Sequence, residues 1–228
     1  MRAYLELIMS LVRHLPNALT CCNLLCGSLA IIFINDFDPI WLVGLACVFD
    51  FLDGFVARLL KVSSPIGKEL DSLADMVTFG LLPAIYWYYL IGSQPLNYIA
   101  LLIAVFSALR LAKFNVDERQ VEGFIGVPTP ANTLFLVTFP HLFESRVVPI
   151  EIAIPVILLF CWLMVSPFRM FALKFKDFNW KGNELRFTFL IAAVLLIAIF
   201  KVAGVALAII LYILASLISG WRRGGAVS

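Results

Sequence analysis

Charge is scarce in this chain. Lys, Arg, Asp and Glu make up 14% of its 228 residues against 62% hydrophobic residues, and the mean hydropathy is +0.99. That balance excludes a soluble globular domain and places the chain among polytopic membrane proteins. The net charge of +2 carries little information by itself, and no nucleic-acid partner is expected. Histidine is limited to His14 and His141, which stand isolated and read as structural. The five cysteines (Cys21, Cys22, Cys26, Cys47 and Cys161) all fall in apolar stretches. Spacing within the Cys21-Cys22-Cys26 cluster does not match the usual zinc pairs, so buried small hydrophobes are the favoured reading and a metal site the alternative. Residues 1–15 lack the small-residue cleavage site of a signal peptide. No internal repeat or low-complexity linker divides the chain, so it reads as one transmembrane domain, 16–222, after an N-terminal segment, 1–15. In that segment Leu5, Leu7, Ile8, Leu11 and Val12, with Arg2 and Arg13, suggest a short helix along the membrane interface. A partly ordered tail is the alternative.

Long apolar runs are what the chain has instead. A membrane-spanning helix needs roughly 20 apolar residues. Eight stretches read as spans: 18–35, 40–60, 68–91, 97–114, 129–143, 148–167, 186–200 and 203–220. One helix over the last two would exceed roughly 50 Å at ~1.5 Å per residue, so Lys201-Val202-Ala203-Gly204 reads as a tight hairpin. The expected fold is an all-α polytopic bundle of about eight transmembrane helices with both termini cytoplasmic. Under that arrangement Arg2, Arg13, Arg58, Lys61, Lys68, Arg110, Lys113, Arg119, Arg169, Lys174, Lys176, Lys181, Arg186, Arg222 and Arg223 lie inside, and only Arg146 and Lys201 outside. This is a strong positive-inside bias, and dropping one span would invert everything downstream of it. Lys174, Lys176 and Lys181 are expected to rest on anionic lipid headgroups. The chain is expected in the cell (inner) membrane.

Within these apolar helices stand four aspartates, Asp50, Asp53, Asp71 and Asp75. An ionised carboxylate in hydrocarbon is costly unless partnered, so such residues are functional candidates by default. Four like charges cannot neutralise one another and need cations. Asp50 and Asp53 are i, i+3; Asp71 and Asp75 are i, i+4; each pair shares one helix face. Two facing helices would then present four carboxylates to a common centre, where two divalent ions would balance them. All-oxygen ligation suits Mg²⁺ or Mn²⁺ and not zinc or copper. Ser64-Pro65 reads as an N-cap followed by a first-turn proline, which starts the second of these helices. Both acid pairs then sit at the cytoplasmic end of the bilayer, in a cavity open to the cytosol. Gly54, Ala57 and Gly67 remove side-chain bulk and let a large group approach the backbone. Arg58 is a fixed cation able to grip a phosphate in a bidentate fork.

The run Asp50-x2-Asp53-Gly54-x2-Ala57-Arg58-x8-Gly67-x3-Asp71-x3-Asp75 resembles the signature of the CDP-alcohol phosphatidyltransferase family at every fixed position. The resemblance implies a reaction in which a CDP-activated lipid, CDP-diacylglycerol, gives its phosphatidyl group to an alcohol hydroxyl and releases CMP. It implies that the four aspartates bind two metal ions and that Asp75 also serves as base, with Asp71 beside it in the catalytic set. It implies that Gly54, Ala57, Arg58 and Gly67 contact the cytidine diphosphate part, and that the enzyme is a homodimer.

The acceptor is read from a second polar cluster, Arg110-Leu-Ala-Lys113-Phe-Asn115. Arg110 and Lys113 share a helix face; a basic helix end explains Lys113 by itself, whereas Arg110 sits in an apolar stretch and is expected to face the cavity. The loop Phe124-Ile-Gly126-Val-Pro128-Thr-Pro130-Ala-Asn132 is rigid, and either shapes the entry of the next span or adds to the site. These two runs, with Pro16-Asn17-x2-Thr20-x2-Asn23-Leu-x2-Gly27, are similar to those of the family members that use L-serine. That similarity implies CDP-lipid contacts at Asn17 and Thr20 and serine contacts at Arg110, Lys113 and Asn115. Another acceptor, glycerol 3-phosphate or an inositol phosphate, is the alternative. A divalent-cation transporter would also need intramembrane acids, but it has no need of an arginine beside them.

Overall fold

The computed structural model describes residues 2–62, 64–92, 94–117, 124–143, 147–171, 180 and 183–224, with the side chains of 2–12, 124 and 220–224 excluded. Arg119, Arg146, Lys174, Lys176 and Lys181 therefore lie outside the described residues, as do the side chains of residues 1–12 of the expected interfacial segment.

Helix α1 (Arg2–Ile32) runs through Pro16 without a break, so the backbone is continuous across the boundary placed at residue 15. Helix α2 (Ile40–Leu60) stops at Lys61, whose φ of 53° is left-handed and whose N–H bonds back to the Ala57 and Arg58 carbonyls. Helix α3 (Pro65–Asp75) starts as its sequence suggests: the Ser64 hydroxyl accepts the Gly67 N–H at 2.9 Å, and proline occupies the first turn. A six-residue π-helical stretch, Met76–Leu81, joins it to α4 (Leu82–Ile91). A 3₁₀ turn (Leu96–Ala100) leads into α5 (Leu101–Val116). Two-residue strands β1 (Phe124–Ile125) and β2 (Arg169–Met170) pair antiparallel and bracket α6 (Thr129–Thr138), a 3₁₀ turn (Phe139–Leu142) and α7 (Ile150–Val165). Helices α8 (Glu184–Phe200) and α9 (Val202–Gly224) close the chain.

Among the described residues the molecule is all-α apart from one minimal strand pair. Five helices among the described residues are long and apolar enough to cross a membrane: Arg13–Ile32, Ile40–Leu60, Pro65–Ile91, Leu96–Val116 and Val202–Ser219. The other three expected spans coincide with helices too, but α6, α7 and α8 have only 10, 16 and 17 residues. At ~1.5 Å per residue these fall short of a ~30 Å hydrocarbon core.

Helix α1 packs along α2 and crosses α3 and the π stretch. Gly27 permits that crossing, because a Cβ there would collide with Thr78. The main apolar core gathers between α4, α5, α6, α7 and α9. Phe135 and Phe160 stack there at 3.8 Å with planes 6° apart, and the Trp87 indole N–H donates to the Leu136 carbonyl at 2.8 Å. The expected hairpin between α8 and α9 is present: the Gly204 N–H bonds to Lys201 O at 3.1 Å, and a Cβ on Gly204 would strike the α8 backbone at Leu196.

Two expectations need correction. His141 is not isolated, for its Nε2 lies 2.9 Å from Asp38 Oδ2 and ties the α1–α2 loop to the turn after α6. Among the cysteines, Cys26 and Cys161 are buried, while Cys21 is exposed because it lies on the outer face of α1. None is in a disulfide, and no cysteine metal cluster occurs among the described residues.

Candidate active site

One stripe of α1 underlies the site. Pro16, Thr20, Asn23 and Gly27 recur at spacings of three and four and so share a face. The Thr20 hydroxyl lies 2.6 Å from Asp53 Oδ2 and 3.1 Å from Pro16 O, so the carboxylate is its nearer acceptor. The Asn23 side-chain amide reaches Asp75 Oδ1 at 3.5 Å, and the Asn23 backbone carbonyl accepts from the Thr78 hydroxyl at 3.2 Å. Helix α1 therefore grips one acid from each helix of the hairpin.

Helices α2 and α3 bring the acids together. Carboxylate oxygens of Asp50, Asp53 and Asp71 all lie within 4.8 Å of one another. Asp75 stands beside them within hydrogen-bonding reach of Asp50, with Arg110 acting on it as a nearby cation. At such a separation two carboxylates repel by about 3 kcal/mol even at an effective dielectric constant of ~20. A bound cation would relieve that repulsion. Three oxygen ligands at this spacing fit a small, hard dication such as Mg²⁺ or Mn²⁺.

Beside the acids opens a cleft of about 860 Å³, a volume in the range of small-molecule and cofactor pockets. Of the residues singled out from sequence, Asn17, Thr20, Asp53, Gly54, Ala57, Gly67 and Asp71 line it. A Cβ placed on Gly54 would meet nothing within 4 Å, so the glycine faces open space that a ligand can occupy. Gly67 is packed instead: a Cβ there would lie 2.9 Å from Asn17 Oδ1 and 3.0 Å from Ser64 Oγ.

Arg58 is exposed and is absent from the cleft wall. The basic groups that do line it are Arg13, His14, Lys61 and Lys68. In the sequence these counted toward orientation, as part of the interfacial segment (Arg13) or as isolated (His14). Their signal was adjacency: Arg13-His14 leads into the Pro16 stripe, and Lys68 follows Gly67.

The acceptor cluster divides. Arg110 is buried, its Nη1 donates to Thr129 Oγ at 3.3 Å, and its guanidinium sits 5.2 Å from the Phe114 ring centroid. Asn115 spends its side-chain amide donor on Ser72 Oγ at 2.8 Å while its backbone carbonyl accepts from Lys68 Nζ at 3.0 Å, which braces α5 against α3. Lys113 is exposed. Thr129, from the proline-rich loop, is the contact the sequence did not single out.

Four acids on a two-helix hairpin, a nucleotide-sized cleft and a buried arginine behind them describe a membrane enzyme that handles phosphates. The model of the CDP-alcohol phosphatidyltransferase family matches residues 13–167, and this chain belongs to that family, a group of membrane transferases of phospholipid biosynthesis. Its curated relatives include a CDP-diacylglycerol--serine O-phosphatidyltransferase of Bacillus subtilis, 34% identical over 180 residues that cover 76% of this chain and 96% of that one. A protein of the same name from Methanocaldococcus jannaschii is 39% identical over 140 residues, 61% of this chain and 67% of the relative. Another, from Helicobacter pylori, is 35% identical over 133 residues, 54% of this chain and 55% of the relative.

Proposed function

We propose that this enzyme transfers the phosphatidyl group of CDP-diacylglycerol to the hydroxyl of L-serine, giving phosphatidylserine and CMP. The reaction rests above all on the convergence of Asp50, Asp53 and Asp71 beside a cleft whose Gly54 wall is open. The choice of serine is supported by the names of the relatives and by the buried Arg110, a cation suited to the serine carboxylate.

Asp50, Asp53, Asp71 and Asp75 would hold two divalent cations, Mg²⁺ or Mn²⁺, which when bound polarise the phosphoryl oxygens and make a nearby hydroxyl easier to deprotonate. Asp75 takes the proton of the serine hydroxyl as general base. The serine oxygen forms a bond to the lipid phosphorus, and the bond from that phosphorus to the oxygen of CMP breaks. Thr20 and Asn23 fix the orientation of Asp53 and Asp75. Asn17, Gly54, Ala57 and Gly67 shape the cytidine diphosphate site, with Arg58 at its approach. Lys113 and Asn115 complete the acceptor side, Asn115 by bracing α3.

We place this chemistry on the cytoplasmic side of the cell membrane, in a bundle of eight crossings with both termini cytoplasmic. The basic-residue bias supports that placement. The domain then spans 16–222 behind an interfacial segment, 1–15. A homodimer belongs to the proposal on the family resemblance alone.

Purified enzyme in detergent should release CMP from CDP-diacylglycerol only when L-serine and Mg²⁺ or Mn²⁺ are both present, and a chelator should abolish turnover. Release with glycerol 3-phosphate or an inositol phosphate, and none with serine, would overturn the head-group assignment and leave the family intact. Metal flux into proteoliposomes without any CMP release would point to a carrier.

A further inference from the structure

We propose that Asn132 reads the acceptor, its amide taking the amino-acid end of serine beside Arg110. This deepens the function proposed above and rests on it. Asn132 lies in the first turn of α6 and is fully buried at 0% exposure. Its backbone N–H bonds to Pro128 O at 2.9 Å, yet neither Oδ1 nor Nδ2 of its side chain has a hydrogen-bond partner in the protein. Buried side-chain amides are overwhelmingly hydrogen-bonded, so an amide with both ends unmatched demands an explanation. Its neighbours are matched: Thr129 Oγ accepts from Arg110 at 3.3 Å, and the Thr133 hydroxyl donates to Phe79 O, in the π stretch that follows Asp75, at 2.8 Å. At about 100° per residue, positions 129, 132 and 133 fall within an arc of about 100° on α6. Asn132 therefore shares the helix face turned toward Arg110 and the π stretch that follows Asp75.

The chemistry of the acceptor fits that amide. Serine brings a carboxylate and an ammonium to the site as well as its hydroxyl. Arg110 can take the carboxylate, but the ammonium needs an oxygen that the metal ions do not claim. A carboxamide supplies one acceptor oxygen and two donor hydrogens, enough to meet both charged groups of an amino acid. A phosphorylated alcohol brings mainly acceptor oxygens and would leave the amide oxygen unmatched. A site built to hydrogen-bond a group rejects analogues that lack it. Asn132 thus favours an amino-acid acceptor over an anionic phosphate and acts as a specificity-determining residue.

The test is Asn132→Leu in the full-length detergent-purified enzyme, with L-serine, 3-hydroxypropionate (serine without its amine) and CDP-diacylglycerol as variables. Leucine is close in size and removes both unmatched atoms, so a purely structural asparagine would leave stability equal or raised and kinetics unchanged. The expected result is an unchanged or higher Tm, a KM for CDP-diacylglycerol unmoved, a KM for serine raised at least roughly tenfold, and lost discrimination against 3-hydroxypropionate. A serine KM and a discrimination ratio both unchanged would overturn the proposal. Should the leucine variant fail to fold, Asn132→Asp keeps the shape and repels a carboxylate, and it should shift preference from serine toward ethanolamine; no shift again overturns the role. A wild-type enzyme inactive with serine overturns both readings, whereas an active wild type with indifferent variants overturns only that of Asn132.

Discussion

The glycines at 54 and 67 belong to one motif, yet their surroundings divide the work between ligand space and packing. Gly54 faces open space, and Gly67 is pressed between Asn17 and the cap of α3. Gly67→Ala should push Ser64 off the helix start and Asn17 off the cleft wall, lowering stability by ~1 kcal/mol, the worth of a lost N-cap. It should also raise the KM for CDP-diacylglycerol, whereas Gly54→Ala should raise that KM with the Tm unchanged or raised, since mid-helix alanine is favoured over glycine; thermal melts and CMP-release kinetics on both variants check this. At this scale the acids were legible in the sequence, because the cost of charge in hydrocarbon and the i, i+3 and i, i+4 spacings are local properties. The partners Thr20–Asp53 and Asn23–Asp75 were not, since they join residues 33 and 52 positions apart. Arg58 is set by its place in the motif rather than by a contact: it is exposed in the last turn of α2 and is not among the residues lining the cleft.

Among the elements, the connector before α6 is fixed by backbone conformation and by hydrogen bonds together. Gly126 has a φ of +76°, its N–H donates to Phe168 O at 2.8 Å, and the next N–H donates to Leu163 O at 3.0 Å. A Cβ there would collide with the Met164 carbonyl. Gly126→Ala should therefore cost at least ~1 kcal/mol from the backbone conformation alone, with the collision adding to it. The resulting shift of Thr129 should also reduce activity below what the fall in Tm explains, as CMP release well below the melting range would show. Helix positions, the Ser64-Pro65 start and the break at Lys201 were readable from hydropathy and turn chemistry. The strand pair and the π stretch were not, because each is stabilised by contacts with segments distant in sequence.

Across the whole molecule, a core built by the later helices holds an acid-bearing hairpin contributed by the earlier ones. Eight crossings require α6, α7 and α8 to traverse with only 10, 16 and 17 residues, which a thinned bilayer or flanking non-helical residues would have to accommodate. Tags at the two ends should both be cut by protease in inside-out vesicles and both be protected in right-side-out vesicles. Cleavage of one tag alone in either preparation would mean an odd number of crossings. The π stretch at Met76–Leu81 bears on this architecture in a further way. It acts as a phase joint: below it the span meets α1 through the Asn23–Asp75 contact, and above it the turn after α6 through the aromatic packing around Trp87. A regular helix has one phase, at 3.6 residues per turn, and would have to compromise between the two. With the joint in place, packing above it can be exchanged without re-aiming the carboxylates below.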